Sequence, residues 1–150
     1  MISQIIEWIQ NHPGLAFFVA LMAYRLYQTL FYREPVVEGS RVVQVNSMDQ
    51  FQEMLKNNKI LLANFSANWC PGCRTAAPEF VKLSKEMKKV AFVKINVDVG
   101  RDIAQEFQIE SIPAFKLFHD GNVAKSFVGF DGEAISKAIE SLVCENKKEK

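Results

Sequence analysis

Two cysteines separated by two residues, Cys70 and Cys73, are the part of this 150-residue chain best suited to covalent chemistry. A Cys-x-x-Cys pair serves either as a dithiol that cycles through a disulfide or as half of a four-ligand zinc site. Zinc would need a second pair of ligands, and the remaining candidates, His12, His119 and Cys144, form none, so no metal is expected. A third possibility, two buried apolar residues on adjacent turns, leaves unexplained the Trp69 that precedes the pair and the strand-to-helix junction at which it falls. At such a junction Cys70 stands at a helix amino terminus, where unpaired N–H groups and the positive end of the helix dipole stabilise a thiolate. Cys70 is therefore the expected nucleophile, with a lowered thiol pKa. Cys73, one turn along, is the expected resolving thiol, placed to attack a mixed disulfide formed at Cys70.

The elements that must hold this pair can be read from periodicity. Val42 to Val45 is a short β-branched run, and Ser47 is a plausible N-cap for a helix with Met48, Phe51, Met54 and Leu55 on one face. Ile60 to Phe65 is apolar almost throughout, the pattern of a central strand buried on both faces. A helix from about Cys73 to Lys88 follows, then a strand over Val90 to Val97, a short helix over Asp102 to Phe107 and a strand over Ala114 to His119. Asp120-Gly121 makes a hairpin turn into Val123 to Val128, and a last helix runs from Gly132 to Cys144. The order β-α-β-α-β-α-β-β-α predicts an α/β fold with a mixed sheet and helices on both faces. Cys144 is expected to pack as an ordinary residue of the last helix, and residues 145–150 to form a charged tail.

Composition narrows the partners. With 49% hydrophobic residues and Lys+Arg at 18 against Asp+Glu at 17, the chain resembles neither a disordered segment nor a phosphate-tracking surface, so no nucleic-acid partner is expected. Three cysteines are too few for a secreted disulfide scaffold.

Residues 1–32 have a different character. Trp8 to Tyr24 contains no Lys, Arg, Asp or Glu, and the only earlier charge is Glu7, which is not how a cleaved secretory leader is built. The reading is a membrane anchor: an amphipathic stretch over 2–10, with Ile2, Ile5, Ile6 and Ile9 at helical spacing, then a spanning helix over about 13–32 opened by Pro13. The alternative is an amphipathic helix folded onto the domain or a self-association face. Basic residues follow the span (Arg25, Arg33, Arg41) and none precede it, so the carboxyl-terminal domain is expected to face the cytosol. The anchor looks like those of mitochondrial outer-membrane proteins, with the endoplasmic reticulum as the other candidate. Residues 33–41 read as a linker and 42–144 as the domain.

The ordered motifs Trp69-Cys70-Pro71-Gly72-Cys73, Pro78, Asn96-Val97-Asp98, Ser111-Ile112-Pro113 and Gly129 after the hairpin resemble the thioredoxin family over about residues 42–144. The resemblance implies a thioredoxin-like three-layer α/β/α sandwich and a protein-disulfide oxidoreductase, a reductase before an oxidase or isomerase, with no bound cofactor. It implies disulfide-containing client proteins and an electron donor such as a flavin-dependent thioredoxin reductase as partners. It also implies a cis bond at Ile112-Pro113, beside the Cys pair, and a substrate groove formed by Ile112 and Pro113 with Trp69, Pro71, Val128, Gly129 and Phe130. Asp98 is read either as part of the groove rim or as an ordinary strand-terminating acid.

Two departures stand out against that family. Its usual Gly-Pro between the cysteines is inverted to Pro71-Gly72; glycine in a first turn costs about 1 kcal/mol relative to alanine, which suggests a looser thiolate trap. Asn64 stands where the family carries a buried Asp that helps deprotonate the resolving thiol, and Lys94, the match to that Asp's usual partner, loses its counter-charge. Asn cannot take a proton, though it can position a water, so slow resolution at Cys73 is expected. These departures keep open a second function, a thioredoxin-like protein-binding module with weak or no redox turnover.

Overall fold

The computed structural model describes residues 13–31 and 40–148, in two units that divide between Arg33 and Glu34. The amphipathic stretch expected over 2–10 and most of the 33–41 linker lie outside the described residues.

The first unit contains helix α1, Pro13–Phe31, with Leu15, Phe17, Phe18, Val19, Leu21, Met22 and Leu26 all exposed. The expected spanning helix is thus a helix, but among the described residues none is long and apolar enough to cross a membrane. Its 19 residues rise about 28 Å, short of the roughly 30 Å hydrocarbon core, and they include Arg25 and Gln28.

The second unit is built from β1 (Val42–Val45), α2 (Met48–Asn57), β2 (Ile60–Ser66), α3 (Pro71–Glu86), β3 (Ala91–Asn96), α4 (Arg101–Glu106), β4 (Ala114–His119), β5 (Asn122–Val128) and α5 (Gly132–Lys148). The sheet order is β1-β3-β2-β4-β5; β1, β3 and β2 run parallel, β4 runs antiparallel to β2, and β5 runs antiparallel to β4. All seven residues of the central strand β2 are buried, as its unbroken apolar run requires of a strand covered on both faces.

Alternation along β2 sorts the core into two layers. Ile60 and Leu62 pack with Ala76, Phe80 and Leu83 of α3 and Ile135 and Ile139 of α5. Leu61, Ala63 and Phe65 pack on the opposite face with Phe51 of α2 and Ile103 of α4. This is the expected three-layer α/β/α sandwich with a mixed sheet.

Local chemistry sets the element ends. Ser47 caps α2 by accepting from the Gln50 N–H at 3.4 Å. Asp120 and Gly121, at φ of 46° and 81°, form the hairpin turn, in the pair of left-handed conformations that an Asp-Gly step tolerates. Helix α3 begins earlier than expected, at Pro71, because proline suits the first helical position and its missing N–H would have no helical acceptor there. Helix α5 passes the expected end at Cys144 and continues to Lys148, since neither Gly nor Pro stands there to stop it. Cys144 itself is exposed, correcting its assignment as a packing residue. Ile135 and Ile139, with Leu142 and Val143, take the core-facing side of α5.

Phe80 anchors α3 to the sheet, its ring centroid 5.3 Å from Phe92 and 5.7 Å from Phe115. Phe80→Ala is expected to cost about 3–5 kcal/mol, measured as a drop in urea midpoint with unchanged slope.

Candidate active site

The turn from β2 into α3 sets the geometry of the cysteines. Cys70 is the N-cap of α3, with φ −82° and ψ 114°, and its Sγ accepts from the Cys73 N–H at 3.2 Å. The two cysteines are joined as a disulfide with Cα atoms 5.3 Å apart. Both are nearly buried, Cys70 at 5% and Cys73 at 2% exposure, and they pack on Ala67, Val97 and Ile112.

The residues expected around the pair assemble unevenly. The Ile112-Pro113 peptide is cis, and the Ile112 carbonyl oxygen lies 3.8 Å from Cys70 Sγ. Gly72 faces the Pro113 ring so closely that a Cβ at position 72 would sit 3.3 Å from Pro113 Cδ. Gly129, at φ 78°, donates its N–H to the Pro113 carbonyl at 2.8 Å, which ties the end of the hairpin to the proline. Trp69 and Val128 are exposed, Val128 at 78%. Phe130, expected in the groove, is partly buried, its ring 5.3 Å from that of Phe115. A phenyl group gains more from the core than from solvent.

Asp98 has a definite place that its sequence left open. The Trp69 Nε1–H donates to Asp98 Oδ2 at 3.0 Å. Asp98 is held in turn by its own N–H to Asn96 Oδ1 at 2.9 Å and by the Arg101 Nε–H to its carbonyl at 3.2 Å. The exposed indole beside the disulfide is therefore fixed from the β3–α4 connection.

Asn64 and Ser66 occupy the same row of β2 as Ile60 and Leu62, the row that faces α3. They are 2% and 1% exposed, and Asn64 Oδ1 and Ser66 Oγ have no hydrogen-bond partner among the described residues. Lys94 is the β3 register partner of Asn64 and is partly buried. Ser66 was not among the expected site residues; its parity with Asn64 along a strand ending at the Cys pair was the available signal. Among the described residues no group of His, Cys, Asp or Glu could hold a metal ion.

A disulfide at a helix amino terminus, beside an exposed indole and Pro113, can exchange with an incoming thiolate, and its reduced dithiol form with an incoming disulfide. The thioredoxin family model matches residues 42–141. Thioredoxin of Oryctolagus cuniculus is 34% identical over 104 residues, covering 68% of this chain and 99% of that protein. Thioredoxin of Mycoplasma pneumoniae is 37% identical over 89 residues, covering 59% and 87%. The crystal structure of thioredoxin NaTrxh from Nicotiana alata superposes with a TM-score of 0.67 at 32% identity, covering 71% of this chain and 96% of that one. With fold, motif spacing and disulfide in agreement, the chain belongs to the thioredoxin family of thiol-disulfide oxidoreductases.

Proposed function

We propose that the chain is a protein-disulfide reductase held at a membrane by residues 1–32. The observation that carries the redox reading is the Cys70–Cys73 disulfide at the amino terminus of α3, against Ile112 and Pro113. In the reduced chain the Cys70 thiolate attacks a client disulfide, forming a mixed disulfide and releasing one client sulfur as a thiolate. Cys73 then loses its proton and attacks Cys70 Sγ; the second client sulfur leaves and is protonated. The client gains two electrons, and the chain is left with Cys70 bonded to Cys73, to be reduced again by a donor such as a flavin-dependent thioredoxin reductase. The groove that receives an extended client is formed by Ile112, Pro113, Trp69, Pro71 and Val128.

Titration of the full chain against glutathione and dithiothreitol buffers, followed by Trp fluorescence, tests this. The expected potential lies well below the about −180 mV of protein disulfide isomerase and toward the about −270 mV of thioredoxin. A value at or above the former would overturn the reductase reading. Asn64 favours a second reading, a client-binding module, because its side chain cannot accept the Cys73 proton; that reading predicts client capture without multiple turnover of insulin disulfides.

Membrane attachment is supported by the exposed apolar side chains of α1, Leu15, Phe17, Phe18 and Met22 among them, and by Arg25 as its single charge. The basic residues that follow α1, Arg33 and Arg41, support a cytosolic domain, at the mitochondrial outer membrane or the endoplasmic reticulum. Flotation of the full chain with phospholipid vesicles is the expected outcome, and recovery at the bottom of the gradient would remove the tether.

A further inference from the structure

The inverted dipeptide between the cysteines changes which backbone amides can reach Cys70. An N-cap side chain accepts from the second or third residue of its helix, not from the first. In this chain the first helical residue is Pro71, which has no N–H, and the second is Gly72, which has one. The third, Cys73, already donates to Cys70 Sγ at 3.2 Å in the oxidised chain. With Gly and Pro in the opposite order, the amide would sit at the first position, out of reach, and the second position would carry none. The Gly72 N–H has no acceptor four residues earlier within α3, which starts at Pro71.

We propose that in the reduced chain the Cys70 thiolate accepts hydrogen bonds from both the Gly72 and Cys73 amides, so that Gly72 is a positioning residue making this couple more oxidising than the Gly-Pro order would. The inference rests on the oxidoreductase reading of the pair and adds to it the origin of thiolate stability. The looser trap suggested by glycine's conformational cost leaves this donor out. A hydrogen bond to a charged acceptor is strong enough to change the thiolate fraction about tenfold. Because the thiolate belongs to the reduced form, holding it shifts the exchange toward the dithiol. In that exchange the chain's two thiols are oxidised to the disulfide while one glutathione disulfide is reduced to two glutathiones.

Two variants of the full chain separate the amide from the side chain. Gly72→Ala keeps the N–H, and the exchanged pair Pro71→Gly/Gly72→Pro removes it; both add a Cβ that presses on Pro113, 3.3 Å from its Cδ. The charged residues on the surrounding elements, Lys94, Asp98, Arg101, Glu110 and Arg74, are the same in both. Iodoacetamide alkylation against pH should place the Cys70 midpoint of the exchanged pair about one unit higher and that of Gly72→Ala close to the parent chain. The glutathione equilibrium constant of the exchanged pair should shift up to about tenfold toward the disulfide, about 30 mV more reducing.

Equal shifts in the two variants, or none in the exchanged pair, would overturn the proposal. If the exchanged pair does not fold, the parent chain still decides: in its reduced form the Gly72 and Cys73 amide protons should both move downfield with the Cys70 titration. A Gly72 amide that does not move, in a protein that still turns over insulin disulfide, sinks the proposal and spares the function it rests on. Lack of turnover in the parent chain is the separate failure of that function.

Discussion

With Cys73 replaced by Ser, the full chain is expected to capture clients and not release them. Cys70 remains the N-cap of α3 and keeps the backbone N–H at position 73, 3.2 Å away in the oxidised protein, so its attack on a client disulfide should continue at a similar rate. The second step has no nucleophile, because a serine hydroxyl is not ionised where a thiol is. Release should fall by orders of magnitude, and a covalent adduct sensitive to dithiothreitol should accumulate on non-reducing gels. The exposed Cys144 is the one other thiol and could trap clients by itself. The measurement is therefore made on Cys73→Ser/Cys144→Ser, with Cys70→Ser/Cys144→Ser as its opposite. An adduct that turns over without Cys73, or one that forms without Cys70, contradicts the assigned roles.

Most of the fold was legible because it rests on one strong signal. A strand with seven buried residues reads as an unbroken apolar run, and the surrounding periodicities give elements whose order permits few sheets. The start of α3 moved to Pro71, where the capping chemistry of a single residue decides the boundary, and the end of α5 moved to Lys148, where no Gly or Pro marks a stop. The anchor is a different case. A run of apolar residues announces a surface to be covered, but length and the placing of Arg25 decide whether it can cross a bilayer.

The site was legible where the chain brings its parts together over short distances. Cys70, Pro71, Gly72 and Cys73 are fixed by the strand-to-helix junction, and their positions follow from helix geometry. Asp98 depends on a contact that crosses between elements. The Trp69–Asp98 bond spans 29 residues, and nothing local separates an aspartate holding an indole from one ending a strand. Phe130, next to Gly129, also packs its ring on Phe115, a second contact that no local pattern announces.

Asn64→Asp tests what the buried amide does, through two effects that oppose each other. Asn64 is 2% exposed among apolar residues, so an aspartate there has its carboxyl pKa raised by burial above the about 3.9 of the unfolded chain. Below about pH 4 both states are protonated and the variant loses little. As pH rises past that value the unfolded state releases its proton first, so stability falls by about 1.4 kcal/mol per pH unit until the folded carboxyl also ionises. Lys94, the register partner, favours the ionised form and shortens that window. Once ionised, the carboxylate can accept the Cys73 proton, the kind of assistance worth about 10²–10⁴-fold where it is well placed. The expected outcome at pH 8 is release of a trapped client at least about tenfold faster than in the parent chain, in a protein whose melting temperature drops relative to the parent as pH rises from 4 to 7. Acceleration without the stability loss would place residue 64 in contact with solvent. The stability loss without acceleration would mean that proton removal from Cys73 does not limit release, and slow resolution would lose its cause.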